Sequence, residues 1–300
     1  MIDPSDSEVR AGALYVVATP IGNLGDLAPR AQAVLASVDR IAAEDTRSSG
    51  VLLSHFGIRT PLVALHEHNE DRVAEALIQA VRDGSSLALI SDAGTPLISD
   101  PGYALVRAAR AAGVPVYALP GPCAAIAALS VSGLATDSFM FAGFLPAKSA
   151  ARRAKLATLA NEPRTAILYE SAHRIGESLA DLVAVLGGAR RVCLARELSK
   201  RFEESITLPA AELLAWQQAD GNRSRGEFVL VVEGAPAAED SVDAERVLRL
   251  LLAELPASRA ARLTAEITGC ARKPLYALAL KLSDAGVQGA PENGDNSAST

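Results

Sequence analysis

The sequence predicts an α/β protein: two α/β domains, a mainly parallel sheet in the N-terminal one and a mixed sheet in the C-terminal one, followed by a small helical appendage. Three patterns carry this. Short apolar runs alternate with amphipathic segments five times between residues 13 and 130, the rhythm of a parallel sheet covered on both faces. Beyond residue 135 strands outnumber helices, which calls for antiparallel pairs. Polar, glycine-containing loops follow the apolar runs, and open α/β sheets bind ligands outside the carboxyl ends of their strands.

Residues 1–11 are polar and acidic (Asp3, Asp6, Glu8) and are expected to form a disordered leader to a domain at 12–134. Ala13-Leu14-Tyr15-Val16-Val17-Ala18 is a strand. The loop from Thr19 to Asp26 breaks it with two glycines and an Asn, residues that tolerate φ > 0. This loop lacks the G-x-G-x-x-G spacing of a dinucleotide site. A helix from Pro29 to Ser37 leads to the strand Arg40-Ile41-Ala42-Ala43 and its exit Glu44-Asp45-Thr46-Arg47. On an extended segment Glu44 and Asp45 point to opposite faces, so at most one of them faces a given site. Asp45 or Thr46 also suits a helix N-cap. The third strand, Leu62 to Leu65, exits through His66-Glu67-His68-Asn69-Glu70. No further His or Cys lies near the two histidines, so a polar loop is expected and no metal.

Helix 71–82 turns Val73, Leu77 and Val81 inward and precedes the most informative stretch, Leu87-Ala88-Leu89-Ile90 with its loop Ser91-Asp92-Ala93-Gly94-Thr95-Pro96-Leu97-Ile98-Ser99-Asp100-Pro101-Gly102. A buried strand runs into a loop that states Ser-Asp-x-Gly twice. Glycine permits close approach of a ligand, and Asp either accepts from a ligand donor or caps a helix. Helix 103–112 and strand 114–119 follow, then Pro120-Gly121-Pro122-Cys123-Ala124-Ala125 opening a helix of small residues. Small side chains there leave the helix amides open to an anion or permit close packing.

The texture changes near residues 130–138, where a second domain (135–235) is placed. An aromatic segment, Phe139 to Phe144, precedes a basic helix with Lys148, Arg152, Arg153 and Lys155. Strands are read at 165–169, 191–195, 203–208 and 227–233, and an amphipathic helix from Ile175 to Leu186. Charged groups gather at strand ends in Glu170–Arg174, Arg196–Arg201 and Arg223–Glu227, which reads as a cleft facing a polyanion. After a linker, a helical domain (241–285) has helices at Val242–Leu255, at Arg259–Thr268 with Ser258 as N-cap, and at Lys273–Leu282. Two helices across Gly269 resemble a helix-turn-helix, with Arg259, Arg262, Arg272 and Lys273 available to phosphates. A packing or dimerisation role suits them equally. Residues 287–300 read as disordered.

The chain has 300 residues, 49% of them hydrophobic, with a formal net charge of −6, so it is no polycation, and nucleic-acid contact requires local basic patches or recognition by shape. Its three cysteines, Cys123, Cys193 and Cys270, are too dispersed for a disulfide framework. No run approaches a membrane span and no signal-peptide pattern is present, so a soluble cytoplasmic protein is expected.

Taken together, Tyr15-Val16-Val17-Ala18-Thr19-Pro20-Ile21-Gly22-Asn23-Leu24, Ala43-Glu44-Asp45-Thr46-Arg47, Leu89-Ile90-Ser91-Asp92-Ala93-Gly94-Thr95-Pro96 and Leu119-Pro120-Gly121-Pro122 resemble the tetrapyrrole-methylase (class III) superfamily of S-adenosylmethionine-dependent methyltransferases. Gly143-Phe144-Leu145-Pro146, Tyr169-Glu170-Ser171-Ala172-His173-Arg174 and Arg196-Glu197-Leu198-Ser199-Lys200 are similar to its ribosomal branch, which methylates the ribose 2′-hydroxyl of a decoding-centre cytidine in 16S ribosomal RNA. The resemblance covers roughly residues 13–285. It implies a cofactor cleft between the two domains, a homodimer, and the small ribosomal subunit as partner. It implies cofactor contacts from Asp92, Gly94, Thr95 and Pro96, from Cys123 and Ala124, and from Tyr169. The first loop, Pro20 to Asp26, departs from the Gly-Pro-Gly-Asp form of corrin and porphyrin methylases, which argues against a tetrapyrrole substrate.

Methyl transfer to a hydroxyl requires in-line alignment, exclusion of water and a proton acceptor. Glu44, Asp45, His173 and Glu197 are the candidates for that acceptor, with Asp45 or His173 preferred and no spacing argument to separate them. Arg47, Arg174, Arg196 and Arg225 are expected to hold substrate phosphates. The rivals are a tetrapyrrole methylase, a nucleotide- or NAD-dependent enzyme, and an RNA-binding module without activity.

Overall fold

The computed structural model describes residues 8–236 and 244–287, with side chains through residue 282. The chain divides into two compact units, Met1–Ala235 and Pro236–Thr300.

The larger unit contains two five-stranded sheets. The first is built from β1 (Leu14–Val17), β2 (Arg40–Ala43), β3 (Leu62–Ala64), β4 (Leu87–Ile90) and β5 (Val116–Leu119) in the order β3-β2-β4-β1-β5, all parallel. Helices α1 (Pro29–Ser37), α2 (Thr46–His55), α3 (Glu70–Arg82), α4 (Tyr103–Ala111) and α5 (Ala124–Val131) follow its strands in turn. Successive residues of β4 serve opposite faces, as the period of two demands. Leu87 and Leu89 pack with Leu77, Leu105 and Ala109, whereas Ala88 and Ile90 pack with Val34, Leu35 and Leu53. β4 is buried along its whole length, which accounts for its unbroken apolar run.

The second sheet is mixed. It consists of β6 (Phe139–Phe144), β7 (Thr165–Ser171), β8 (Arg191–Arg196), β9 (Glu204–Pro209) and β10 (Glu227–Val232) in the order β6-β7-β10-β8-β9. Only the β6–β7 pair is parallel. Helices α6 (Ser149–Ala157), α7 (Ile175–Leu186) and α8 (Ala210–Gln218) supply one face of its core. The other face packs against α5, where Ala125, Ala128 and Leu129 meet Ile167, Cys193, Val229 and Val231. The small residues that open α5 thus serve close packing and tie the two sheets together.

Three elements escaped the sequence reading. Helix α2 contains three serines and a glycine, poor helix formers, and depends on the Asp45 cap, whose carboxylate accepts from Arg47 N at 2.8 Å. In β6, Gly143 (φ +64°) sits at a register shift against β7, so the strand lacks clean alternation. α8 begins directly after Pro209 ends β9, with no intervening turn residues to announce it. The basic helix α6 spends part of its charge internally. Arg152 is 1% exposed and donates to Asp181 at 2.7 Å, Glu177 at 3.1 Å and the Ala147 carbonyl at 3.1 Å.

Of the expected leader, residues 1–7 lie outside the described residues. Arg10 is anchored, its backbone N–H donating to the Tyr15 hydroxyl and its guanidinium to that of Tyr117.

The smaller unit is helical, with α9 (Ala244–Leu252), α10 (Ala257–Thr268) and α11 (Arg272–Val287) around Leu248, Ala260, Ala261, Leu275 and Ala279. The expected start of its first helix at Val242 lies outside the described residues, as does the expected disordered tail 287–300 except for Val287, which is the last residue of α11. Ser258 does not cap α10: the helix starts two residues earlier than expected, at Ala257, with Pro256 at the N-cap. Gly269 ends it at φ +71°, the left-handed conformation glycine accepts without cost. Among the described residues no helix is long and apolar enough to cross a membrane.

Candidate functional site

A cavity of about 480 Å³ opens in the larger unit where the loops after β1, β2 and β4 meet β6, β7 and β10. Its lining includes the apolar Ile21, Ile98, Phe144, Leu198 and Val229 and the acidic Glu44, Asp92, Asp100, Glu170 and Glu227. Among the described residues no Lys, Arg or His lines it.

The loop after β4 is built to hold its shape. Thr19 and Gly94 exchange backbone hydrogen bonds of 2.9 and 3.1 Å, and Thr19 Oγ1 donates to the Ser91 carbonyl at 3.1 Å. Gly94 takes φ +88°, a conformation L side chains rarely adopt, and an added Cβ would stand 3.3 Å from Ile21 Cγ2, a tight contact, so the position favours glycine. Thr95 Oγ1 donates to the Pro122 carbonyl at 2.9 Å and so stitches this loop to the one that opens α5. Leu97 and Ser99 hold positive φ (74° and 66°), conformations that L-residues adopt only where their surroundings enforce them. The loop ends at Gly102, whose N–H donates to Glu70 Oε1 at 3.0 Å, as does that of Ala104 at 2.5 Å.

Three of these carboxylates, Glu44, Asp92 and Asp100, come from the first sheet's loops and act on one another. Asp100 is half-buried, and its acidity is weakened: burial, then the negative charges of Glu44 and Asp92, push it up to about 6 against the pull of Ser91. Glu44 is likewise raised, first by burial and then by Asp92, Glu67 and Asp45, with His66 opposing. From the second sheet Tyr169 closes the wall, its ring edge-on to Phe141 and Phe144 at 5.0 and 5.5 Å. The Tyr169 hydroxyl accepts from Ala125 N at 3.2 Å, and burial, followed by neighbouring Cys123, pushes the phenol well above its ordinary value.

Of the residues singled out from sequence, Asp92, Gly94, Thr95, Ala124 and Tyr169 line this cavity together with Glu44. Pro96 is buried behind the loop, and Cys123 adjoins Tyr169. The five other candidate residues of the second sheet, His173, Arg174, Arg196, Glu197 and Arg225, lie at or beside the sheet end on which the cavity opens. The ladder pairs Glu227 with Ser171 and Phe228 with Arg196, so the charged clusters after β7 and β8 and before β10 share one edge. Their charges are largely engaged. Arg174 pairs with the fully buried Glu170 at 2.7 Å, and Arg196 lies 3.4 Å from Glu204. Glu197 Oε1 accepts from Lys200 Nζ and from Glu227 N, each at 3.0 Å. Burial would raise its pKa, but these two donors hold it below the ordinary glutamate value. His173 and Arg225 are exposed.

On the first sheet, Glu44 and Asp45 do point apart. Glu44 faces the cavity, whereas Asp45 caps α2 and pairs with Arg47 at 2.8 Å. The Arg47 hydrogen bonds pull Asp45 down to about 2, which makes it a weak proton acceptor, and the Arg47 side chain is 90% exposed. Asp100 was not singled out from the sequence, although the second Ser-Asp of the doubled motif marked it. Lys200 was likewise passed over. Its stem lies against Gly22, where an added Cβ would come within 2.4 Å of it, and its ammonium bridges Glu197 and Glu227. With the Ser199–Asp26 hydrogen bond it latches the first loop to the second sheet.

Comparison with known proteins follows the same lines. Residues 13–214 match the family of tetrapyrrole (corrin/porphyrin) methylases, and residues 238–283 match the RsmI C-terminal HTH domain. The ribosomal RNA small subunit methyltransferase I of Escherichia coli O157:H7 is 57% identical over 272 residues, covering 90% of this chain and 95% of its own length. That of Pseudomonas aeruginosa is 58% identical over 275 residues, covering 90% and 98%. Among solved structures, uroporphyrin-III C-methyltransferase from Thermus thermophilus, complexed with S-adenosyl homocysteine, superposes with a TM-score of 0.50 at 18% identity, covering 74% of this chain and 97% of its own, a likeness of fold.

Proposed function

The chain belongs to the tetrapyrrole (corrin/porphyrin) methylase family and, within it, to the ribosomal RNA small subunit methyltransferase I family, and on that premise we propose that it methylates the ribose 2′-hydroxyl of a cytidine in the decoding centre of 16S ribosomal RNA, with S-adenosylmethionine as donor. The observation that carries the reading is the lining of the cavity: carboxylates interspersed with apolar and aromatic groups and, among the described residues, no cationic side chain. Such a pocket suits a ligand that is itself cationic and partly aromatic, and it disfavours a nucleotide phosphate. S-adenosylmethionine carries a sulfonium, an ammonium and an adenine, and supplies an activated methyl group. Asp92, Gly94, Thr95, Ala124 and Tyr169 would hold it, with Pro96 and Cys123 behind them.

A porphyrin or corrin precursor, bearing several carboxylates, meets repulsion in an acid-lined cavity, so the tetrapyrrole alternative is the weaker one. RNA approaches from outside the cavity, where Arg47 and Arg225 are exposed and Arg174 and Arg196 stand at the rim. With a net charge of −6, the chain gains little from non-specific attraction to RNA, which favours the assembled small subunit as the substrate, recognised by shape. The proposal includes a cytoplasmic homodimer that needs no metal. Its test is transfer of labelled methyl from S-adenosylmethionine to small subunits lacking the modification, beside isolated 16S RNA and a porphyrin precursor. Label in the subunit supports the reading, and label in the porphyrin alone refutes it.

A further inference from the structure

We propose that Asp100 is the proton acceptor of the methyl transfer, a role that rests on the reading of this cavity as the site of 2′-hydroxyl methylation. Three features of its placement carry this. Asp100 lines the cavity on the side where the first sheet's loops face Tyr169 of the second, so it borders the space that donor and acceptor must share. The charged and titratable groups facing it are Glu44 from the end of β2, Asp92 from its own loop and Tyr169 from β7, none of them a cation. Asp45 differs in this respect, since its carboxylate is engaged by Arg47. Glu197 is engaged by Lys200.

Its mounting is rigid. Ser99 before it is held at φ +66°, Pro101 after it is buried, and Gly102 (φ +123°) lies so close to Leu89 that an added Cβ would come within 2.6 Å of Cδ2. A fixed carboxylate is what proton transfer from a positioned hydroxyl requires. Glu44, the nearest competitor, has His66 beside it as a compensating group.

The step balances in atoms and charge. The ribose oxygen forms a bond to the methyl carbon as the carbon–sulfur bond breaks, its electron pair staying on sulfur, and the hydroxyl proton passes to the Asp100 carboxylate. The donor loses its positive charge while the carboxylate loses its negative one, so the net charge of the cavity is unchanged. Loss of the cation beside it further favours the protonated acid. Glu44 and Asp92 hold Asp100 ready to take the proton, and S-adenosylmethionine in the cavity keeps it ionised until transfer.

Asp100→Asn separates binding from proton transfer. Single-turnover methylation of small subunits is measured across the acid range for the wild type, Asp100→Asn and Glu44→Gln, beside calorimetry of S-adenosylmethionine binding in two buffers of different ionisation enthalpy. The wild-type rate is expected to rise with pH and level off once Asp100 is ionised. The Asn variant is expected to be slower by about 10²- to 10⁴-fold with no such rise, its affinity for S-adenosylmethionine changing only severalfold. Binding near pH 6 should release protons from the wild type and fewer from Asp100→Asn. The proposal is overturned if Asp100→Asn keeps its rate within about threefold, if its loss follows from lost cofactor affinity, or if Glu44→Gln alone removes the pH dependence. A wild type that binds cofactor yet methylates no subunit would instead overturn the underlying reading, and the acceptor role with it.

Discussion

Lys200→Met isolates the latch between the first loop and the second sheet. Methionine preserves the stem that lies against Gly22 and removes only the ammonium, which reaches Glu197 Oε1 at 3.0 Å and Glu227 Oε2 at 2.7 Å. The two pairs differ in worth. Glu227 is 79% exposed at its side chain, so that pair contributes at most about 1 kcal/mol. Lys200 and Glu197 are 24% and 19% exposed, and a charge-assisted hydrogen bond so placed contributes about 1.5–3 kcal/mol. Glu197 keeps the Glu227 N–H as a donor, so it is not left bare. The expected loss is about 2–3 kcal/mol near neutral pH, read as a lower urea midpoint at unchanged m-value. The difference should depend on pH. Lys200 and Glu227 N hold Glu197 below its ordinary 4.5, so the stabilisation is present above that value and is lost as pH falls through the lowered one. Equal midpoints for variant and wild type at neutral pH would refute the latch, as would a difference undiminished in acid.

Asp181→Ala strands the guanidinium of Arg152, 1% exposed, with Glu177 as its remaining acidic partner, and should cost about 3–5 kcal/mol in urea denaturation. Tyr169→Phe deprives Ala125 N of its acceptor at the start of α5 and should cost about 1 kcal/mol in the same assay, with S-adenosylmethionine binding more weakly by calorimetry. Truncation after Ala235 leaves every cavity-lining residue in place, so affinity for S-adenosylmethionine should stay within about twofold, whereas methylation of small subunits should fall if α10 and α11 contact RNA.

Much of this architecture is legible in the sequence because the parallel sheet's rules act locally. Buried strands such as β4 read as unbroken apolar runs, and the loops that follow them announce themselves through Gly, Pro and Asp. The family resemblance singled out the Asp92–Thr95 loop and Tyr169, which line the same cavity. What escaped depends on partners distant in sequence. Whether an arginine is free to meet a phosphate is decided by its neighbours: Arg174 is paired with a buried Glu170 that the strand β7 supplies. The separation of Glu44 from Asp45 followed from strand geometry, but that Arg47 would engage Asp45 required the cap of a helix not foreseen. Asp100 and Lys200 acquire their interest only when the second sheet is folded against the first, bringing Tyr169 to the one and Gly22 to the other.

The most direct test of the account is the chemical position of the transferred methyl group. Small subunits lacking the modification are incubated with the protein and S-adenosylmethionine, and their RNA is digested to nucleosides and analysed by mass spectrometry beside mapping by alkaline hydrolysis. The account predicts 2′-O-methylcytidine at a single site, marked by resistance of that one linkage to alkali. A methyl group carried on a base, or spread over many riboses, would contradict it.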